Sequence, residues 1–243
     1  MTDCWRLLQH FDAEPGFNMA VDEQLLLGGS SMPTLRFYTW KPDALSLGYF
    51  QRWVDVPAAE EASIVVRRLT GGGAIHHARE LTFSLTAPLD HPLYRGPVRE
   101  SYERVHRAIA MVLADYGARA SLRGEQVVTS DVPETGMCFH KSTDLDLIWD
   151  AGKGLGSAQR RTAGRVLHHG SLKLGTTELE TGIASLESHA PELEPEELAR
   201  ALQAAFPELL GMKLERGELA PSELDRAQSR SNHFRSSTFL HRR

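Results

Sequence analysis

Apolar residues along the chain recur with two periods, and the elements follow from them. In 97-PVRESYERVHRAIAMVLADYG-117, Val98, Tyr102, Val105, Ile109 and Val112 return at steps of three and four. With Pro97 suited to a first turn and Gly117 to a C-cap, this spacing predicts a helix. The stretch 18-NMAVDEQLLL-27 predicts a second helix, entered through Asn18 as N-cap, with Met19 and Leu26 on one face. Strands are predicted at 34-TLRFYTW-40, 44-ALSLGYF-50, 63-SIVVRRL-69 and 81-LTFSLTA-87, which are rich in β-branched and aromatic residues and separated by Pro, Gly and Asp. Two more are 144-DLDLIWD-150, with alternating apolar residues, and 166-VLHHGSLKL-174. From about residue 177 the chain turns acidic and helical, as in 192-ELEPEELARALQAAF-206, and ends in a polar tail. Neither an internal repeat nor a low-complexity linker interrupts it. The simplest architecture is α+β: one mixed, mostly antiparallel sheet with helices packed against it.

Composition adds a few limits. The 243 residues suit one large domain as well as two small ones, and an apolar share of 41% supplies a sizeable core. A formal charge of −5 gives no support for general nucleic-acid binding, although 159-QRRTAGR-165 is a local basic stretch that could dock a partner. The opening MTDCWRLLQHFDAEPG has no apolar run of signal-peptide length, and no later segment approaches a membrane span. A cytoplasmic protein without membrane contact is therefore expected, with Cys4 and Cys138 as reduced thiols.

The chemistry gathers first at 67-RRLTGGGAIHH-77. A phosphate-binding loop would end in Gly-Lys-Ser/Thr and open a helix, and a dinucleotide fingerprint would read G-x-G-x-x-G; neither is present. A strand follows the glycines, so the helix N-terminus that usually holds phosphate is missing. Alternation along the preceding strand puts Arg67 and Arg68 on opposite faces, so only one of them can face a pocket. A plain glycine hairpin between strands would use the same residues.

The segment 67-RRLTGGGAIHHARELTFSL-85 resembles the R-R-x-[ST]-G-G-[GR]-A-[VI]-x-H-x-x-x-[LN]-T-[YF]-S signature of the lipoate-protein ligase and octanoyltransferase family. The resemblance continues in 18-NMAVDEQLL-26, 153-KGLGSAQRR-161 and 168-HHGSLKL-174, in the family's order and spacing. It implies an α+β catalytic domain of the biotin/lipoate protein ligase type, here one domain over residues 1–243 with a C-terminal helical extension from about 177. It also implies that the glycine loop, Gly71, Gly72 and Gly73, closes around a medium-length acyl chain.

Within that family, ligases activate lipoate with ATP, whereas cysteine-dependent transferases take octanoate from acyl carrier protein through an enzyme thioester. Cys138 lies in 137-MCFHKSTDLDL-147, which is similar to the transferases' C-F-x-x-x-[ST]-x-x-[DE]-[LI] pattern. A thioester keeps the energy of the incoming thioester, so no ATP is needed. A free thiol with a pKa of about 8.5 needs a cationic or basic neighbour to react at neutral pH. Lys153, His140 and His77 are all candidates for that neighbour. The strand 80-ELTFSL-85 and the short run of chain after residue 174 also favour the transferase.

By resemblance, Lys153 reaches into the acyl pocket and donates to the acyl oxygen, a donor that stabilises developing charge. Gly156 and Ser157 let backbone pass close to the ligand, while Arg68, His77 and His169 line or polarise the site. Two positions depart from the family. Gly154 stands where a branched apolar residue is usual and is expected to loosen its strand; Ala78 replaces an Asp. His168 and His169 alternate across a strand without a third ligand at zinc spacing, so no metal is expected. One of the pair is expected to be buried and hydrogen-bonded, the other near the pocket rim.

The implied activity is octanoyl transfer from acyl carrier protein to a lysine of a lipoyl domain, on 2-oxoacid dehydrogenase E2 subunits or glycine cleavage H protein. No cofactor is then required. ATP and Mg would enter only for an ATP-dependent lipoate ligase, the rival enzyme within the family. An amidotransferase moving acyl groups between lipoyl-bearing proteins would share the cysteine. A silent acyl-binding module would keep the pocket and lack a reactive thiol.

Overall fold

The computed structural model describes residues 3–27, 32–162 and 164–242. The chain runs β1 (Asp3–Ala13), α1 (Pro15–Leu27), β2 (Thr34–Trp40), β3 (Ala44–Leu47), the short α2 (Ala58–Glu61), β4 (Val65–Arg67), β5 (Ile75–His77) and β6 (Glu80–Pro88). It continues through α3 (Val98–Asp115), β7 (Ser121–Leu122), β8 (Leu147–Trp149), β9 (Gly152–Thr162) and β10 (Arg165–Lys173). The last elements are α4 (Pro195–Leu210), β11 (Met212–Arg216), α5 (Pro221–Ser231) and the one-turn α6 (Ser237–Leu240). An eight-stranded sheet has the order β11-β1-β2-β6-β10-β9-β8-β7, and a three-stranded sheet the order β4-β3-β5. In the large sheet β1 runs parallel to both β2 and β11, and the other pairings are antiparallel.

Helix α3 forms where its apolar stripe predicts. Val105, Ile109 and Val112 are buried with Phe83, Leu155 and Val166 of the sheet and Leu198 and Phe206 of α4. Gly117 takes φ +84° just past the helix, and Ala118 N–H closes onto Leu113 O, the bond pattern of a glycine C-cap. Burying this face covers one side of the large sheet. The opposite side packs α1, through Met19, Val21 and Leu25, with Tyr38 and Trp40 of β2 and Val66 of β4.

Several expectations shift. Helix α1 begins at Pro15, and Glu14 rather than Asn18 caps it, its Oε2 accepting from Phe17 N–H at 2.7 Å. Asn18 lies inside the helix, fully buried, donating to Thr39 O at 3.0 Å and accepting from Arg36. The strand expected over 44–50 stops at Leu47 because Gly48 and Gln51 close a turn. Strands β1 and β11 carry no clear alternation, and the chain beyond 177 contributes β11 to the sheet edge instead of being helical throughout. The polar tail is also anchored: buried Arg67 donates to Phe239 O at 2.8 Å and to Leu240 O, and to Gly48 O and Gln51 O at 2.7 Å each. Among the described residues no helix is long and apolar enough to cross a membrane.

Candidate active site

A narrow pocket opens between the two sheets. Met19, Tyr38, Trp40 and Ile75 give it apolar walls. Arg68, Gly71, Gly72, Gly156, Ala158, His169 and Gly170 also line it. A wider and more polar cleft adjoins it, lined by Gly73, Lys141, Asp146 and Lys153 among others. Cys138, Gly72 and Ser157 border both spaces. An apolar slot meeting an open polar cleft at a thiol can hold an acyl tail on one side and admit a second reactant from the other.

The glycine loop exists to bring Cys138 close. Cys138 N–H donates to Ala74 O at 2.7 Å, and Ala74 N–H to Gly136 O at 2.8 Å, so the cysteine segment is stitched to the loop. A Cβ on Gly73 would stand 2.7 Å from Cys138 N and 2.8 Å from its Cα. One on Gly48 would stand 2.0 Å from Gly72 O, and Gly72 itself holds φ +95°. These approaches leave no room for side chains. Arg68 is the arginine that faces the pocket. Its guanidinium is spent on the loop, donating to Ser46 O, to Ser46 Oγ, and to Gly71 O and Gly73 O at 2.9 and 2.6 Å. It therefore shapes the glycine loop.

Lys153 supplies the charge. Its Nζ lies 3.4 Å from Cys138 Sγ, 2.9 Å from Cys138 O, 3.2 Å from Lys141 O and 2.8 Å from Asp146 Oδ2. Burial pulls this ammonium's pKa down, but Cys138 and Asp146 outweigh burial and hold it above the ordinary lysine value. Of the three candidate neighbours for the thiol, the geometry thus selects Lys153. His140 turns away, to Thr135 Oγ1 at 3.2 Å and Thr181 O at 3.0 Å. His77 lines the pocket, yet both its nitrogens are engaged, with Glu80 Oε1 at 2.6 Å and Ser46 Oγ at 2.7 Å, and its ring stacks on Trp40 at 3.8 Å. Burial drives its pKa to about 4, so it is a neutral wall of the pocket.

His169 also lines the pocket, between Thr70 Oγ1 at 2.6 Å and Asp22 Oδ2 at 3.1 Å. His168 points through the sheet to the opposite side, near Tyr94 and Tyr102. Among the described residues no three His, Cys, Asp or Glu side chains gather so as to hold a metal ion. Gly154 is explained by its neighbour: a Cβ there would sit 1.9 Å from Trp149 Cη2, so the indole fills the space a branched side chain would take. Gly154 is buried in β9, and the pairing with β8 shifts register there, stepping from Leu147–Leu155 to Ile148–Lys153 and leaving Gly154 as the extra residue of a bulge. At Cys4, burial followed by a hydrogen bond to Glu215 outweighs the pull of Lys213 and pushes the thiol up, away from reactivity. Sequence reasoning missed Asp146, although it occupies the acidic position of the motif around Cys138, and Asp22, which lies on α1 far from the glycine loop in sequence.

The arrangement defines a class first. The architecture matches that of solved lipoate-protein ligase structures: a putative lipoate protein ligase from T. acidophilum with bound lipoic acid (TM-score 0.77, 20% identity, covering 98% of this chain and 99% of that one), and lipoate-protein ligase A bound with ATP (TM-score 0.77, 20% identity, 99% of each chain). At that identity the likeness is one of fold. Residues 14–181 match the family described as the lipoyl protein ligase A/B catalytic domain, and the chain belongs to that family. It is similar to the octanoyltransferase LipM of Moorella thermoacetica, 38% identical over 224 residues covering 88% of this chain and 82% of that protein. It is likewise similar to the octanoyltransferase LipM of Kyrpidia tusciae, 33% identical over 258 residues covering 92% and 93%.

Proposed function

We propose that this chain is an octanoyltransferase that takes an octanoyl group from acyl carrier protein and places it on a lysine of a lipoyl domain, through a thioester on Cys138. The similarity to octanoyltransferases over most of the chain supports the activity. The observation that carries the covalent route is the Lys153 ammonium 3.4 Å from Cys138 Sγ, at the junction of the apolar slot and the open cleft. A cation at that distance stabilises negative charge on the sulfur as it attacks or departs. The thiolate attacks the donor's carbonyl carbon, and the carrier's thiolate leaves with the electrons of the broken C–S bond. The acyl tail then lies along Met19, Tyr38, Trp40 and Ile75, and the open cleft receives the acceptor lysine, whose amine attacks the thioester and releases Cys138. Because thioester is exchanged for thioester before amide forms, ATP and magnesium have no step to drive.

The test is intact-protein mass after mixing with octanoyl carrier protein, without ATP. The unaltered protein and Cys4→Ser gain one octanoyl group and pass it to a lipoyl domain; Cys138→Ser does neither. Transfer at full rate by Cys138→Ser, or labelling seen only with lipoate and magnesium-ATP, would overturn the covalent reading in favour of a ligase.

A further inference from the structure

Strand alternation splits the basic stretch 159-QRRTAGR-165 between the two faces of the sheet. On β9, Gly156, Ala158 and Arg160 share one face, and the first two line the apolar slot. Arg161 takes the other face, where its Nε donates to Gln159 Oε1 at 3.1 Å. Arg160 is half-buried and meets Arg242, from the far end of the chain, at Tyr49. Among the described residues neither arginine is paired with a carboxylate; each lies over the Tyr49 ring, its guanidinium carbon 4.7 Å (Arg160) or 3.8 Å (Arg242) from the centre. A third guanidinium is close, with Arg67 Nη1 3.4 Å from Tyr49 O. A hydrogen bond from Arg242 comes first in holding the Tyr49 phenol below its ordinary pKa, against the effect of burial, and the charges of Arg242 and Arg160 act the same way.

Three like charges around one tyrosine repel each other, and the aromatic face offsets only part of that cost. A cluster of this sign fits an anionic group, and its place in the fold says which one. Tyr49 N–H donates to Thr70 O at 2.8 Å, and the ring of Phe50, 80% exposed, lies 3.6 Å from where a Cβ on Gly71 would stand. The cluster therefore adjoins the glycine loop. A Cβ on Gly156 would stand 3.1 Å from Lys153 Nζ, the nitrogen that approaches Cys138 Sγ, so Gly156 marks the thiol's position along β9. Arg160 is four residues further along the strand, a distance of about 13 Å, with Ala158 between them on the same face.

A carrier protein bears its acyl group on a pantetheine arm that hangs from a phosphodiester. In that arm about thirteen bonds separate phosphorus from sulfur, roughly 16 Å when extended. The two spans agree once the reach of the arginine side chain is counted. Guanidinium also suits the group, since its planar fork meets phosphate oxygens in pairs.

We propose that Arg160 and Arg242 bind the phosphodiester of the donor's pantetheine arm and so hold the arm along β9 with its thioester at Cys138. The proposal rests on the reading of Cys138 as the acyl-bearing nucleophile. It assigns the donor to the β9 side of the thiol and leaves the open cleft to the acceptor lysine. The two arginines then serve the first half-reaction alone, because the arm departs before the lysine attacks.

The experiment follows acyl-enzyme formation by intact mass with three donors: octanoyl carrier protein, octanoyl-phosphopantetheine, and octanoyl-pantetheine, which has no phosphate. Arg160→Gln and Arg242→Gln are each expected to slow acylation about 10-fold with the two phosphate-bearing donors, as expected for loss of a charge-assisted hydrogen bond. Acylation by octanoyl-pantetheine should keep its rate, as should transfer from preformed octanoyl-enzyme to a lipoyl domain. Equal slowing with octanoyl-pantetheine would mean a structural role and overturn the proposal. Slowing confined to the carrier protein would mean contact with its surface, and slowing confined to the lipoyl-domain step would mean an acceptor site; either overturns it, as would unchanged rates throughout. Failure of the unaltered protein to form octanoyl-enzyme from any donor would instead overturn the Cys138 reading, and this proposal with it.

Discussion

Lys153 shows how one residue's role depends on its partners. Alone in 150-DAGKGLG-156 it reads as a solvated turn lysine, but it is buried and shared among Cys138, Lys141 and Asp146. On the covalent route proposed above, Lys153→Ala removes the cation 3.4 Å from Sγ and a donor to the developing oxyanion, and kcat/KM should fall on the order of 100-fold or more. Alkylation of Cys138 at neutral pH should slow as well. The single variant also strands the Asp146 carboxylate, which typically costs roughly 3–5 kcal/mol for a buried pair. Adding Asp146→Asn should therefore restore thermal stability without restoring activity. Full activity in the double variant would return Lys153 to a structural part. The motif around Cys138 already held Asp146, but only the fold shows the two charges 2.8 Å apart.

At the scale of elements, β9 is the instructive case. Gly-Lys-Gly-Leu-Gly-Ser-Ala-Gln-Arg-Arg-Thr has little strand propensity, yet it forms an eleven-residue strand between β8 and β10. Packing and pairing override the local preference, because three of its first five residues are glycines set against Ala184, Trp149 and Lys153. Restoring the family's branched residue by Gly154→Val should destabilise the protein by about 1–3 kcal/mol through overpacking against the indole. Pairing it with Trp149→Leu should recover most of that loss, read from the denaturation midpoint. If Gly154→Val is neutral by itself, Trp149 is not what excludes the side chain. The helix entry at Pro15 makes the same point. Asn18 has the right chemistry for a cap, but buried Arg36 needs an oxygen inside the helix, and Asn18 supplies it.

The whole molecule carries two further expectations. His77 and His106 are buried with their pKa values driven to about 4, first of all by burial. In the unfolded chain they titrate near 6.5, so between about pH 6.5 and 4 the unfolded state binds more protons than the folded state. Their neutral burial costs no stability above that window and increasingly favours unfolding as pH falls through it, by up to roughly 3 kcal/mol for each ring. Urea unfolding at several pH values should show this decline, and His77→Gln should flatten it. A slope unchanged in that variant would mean that His77 does not contribute. The second expectation concerns the C-terminal turn, where Arg67 holds Phe239 O and Leu240 O while also holding Gly48 O and Gln51 O beside the glycine loop. Deleting residues 237–243 leaves a buried guanidinium short of acceptors and should cost on the order of 3 kcal/mol. Activity should fall as well, because the same arginine braces the loop. Unchanged stability would show that the turn is a passive passenger.

By itself the sequence determined the α+β class, the long helix, most strands next to the glycine loop, and the family motifs that hold Cys138 and Lys153. Those features are local: periodicity, turn chemistry and ordered short motifs are written in neighbouring residues. Only the tertiary structure decided which cation meets Cys138 Sγ, since Lys153, His140 and His77 were equivalent until the chain brought one of them to 3.4 Å. It also decided that Arg68 braces the loop and Arg67 the C-terminal turn, that His77 is a neutral wall, and that Arg160 and Arg242 meet over Tyr49. The physical reason is the same in each case. A hydrogen bond or ion pair between residues tens of positions apart is set by how the sheets and helices pack, and a polar side chain's role follows from the partners that burial forces it to find.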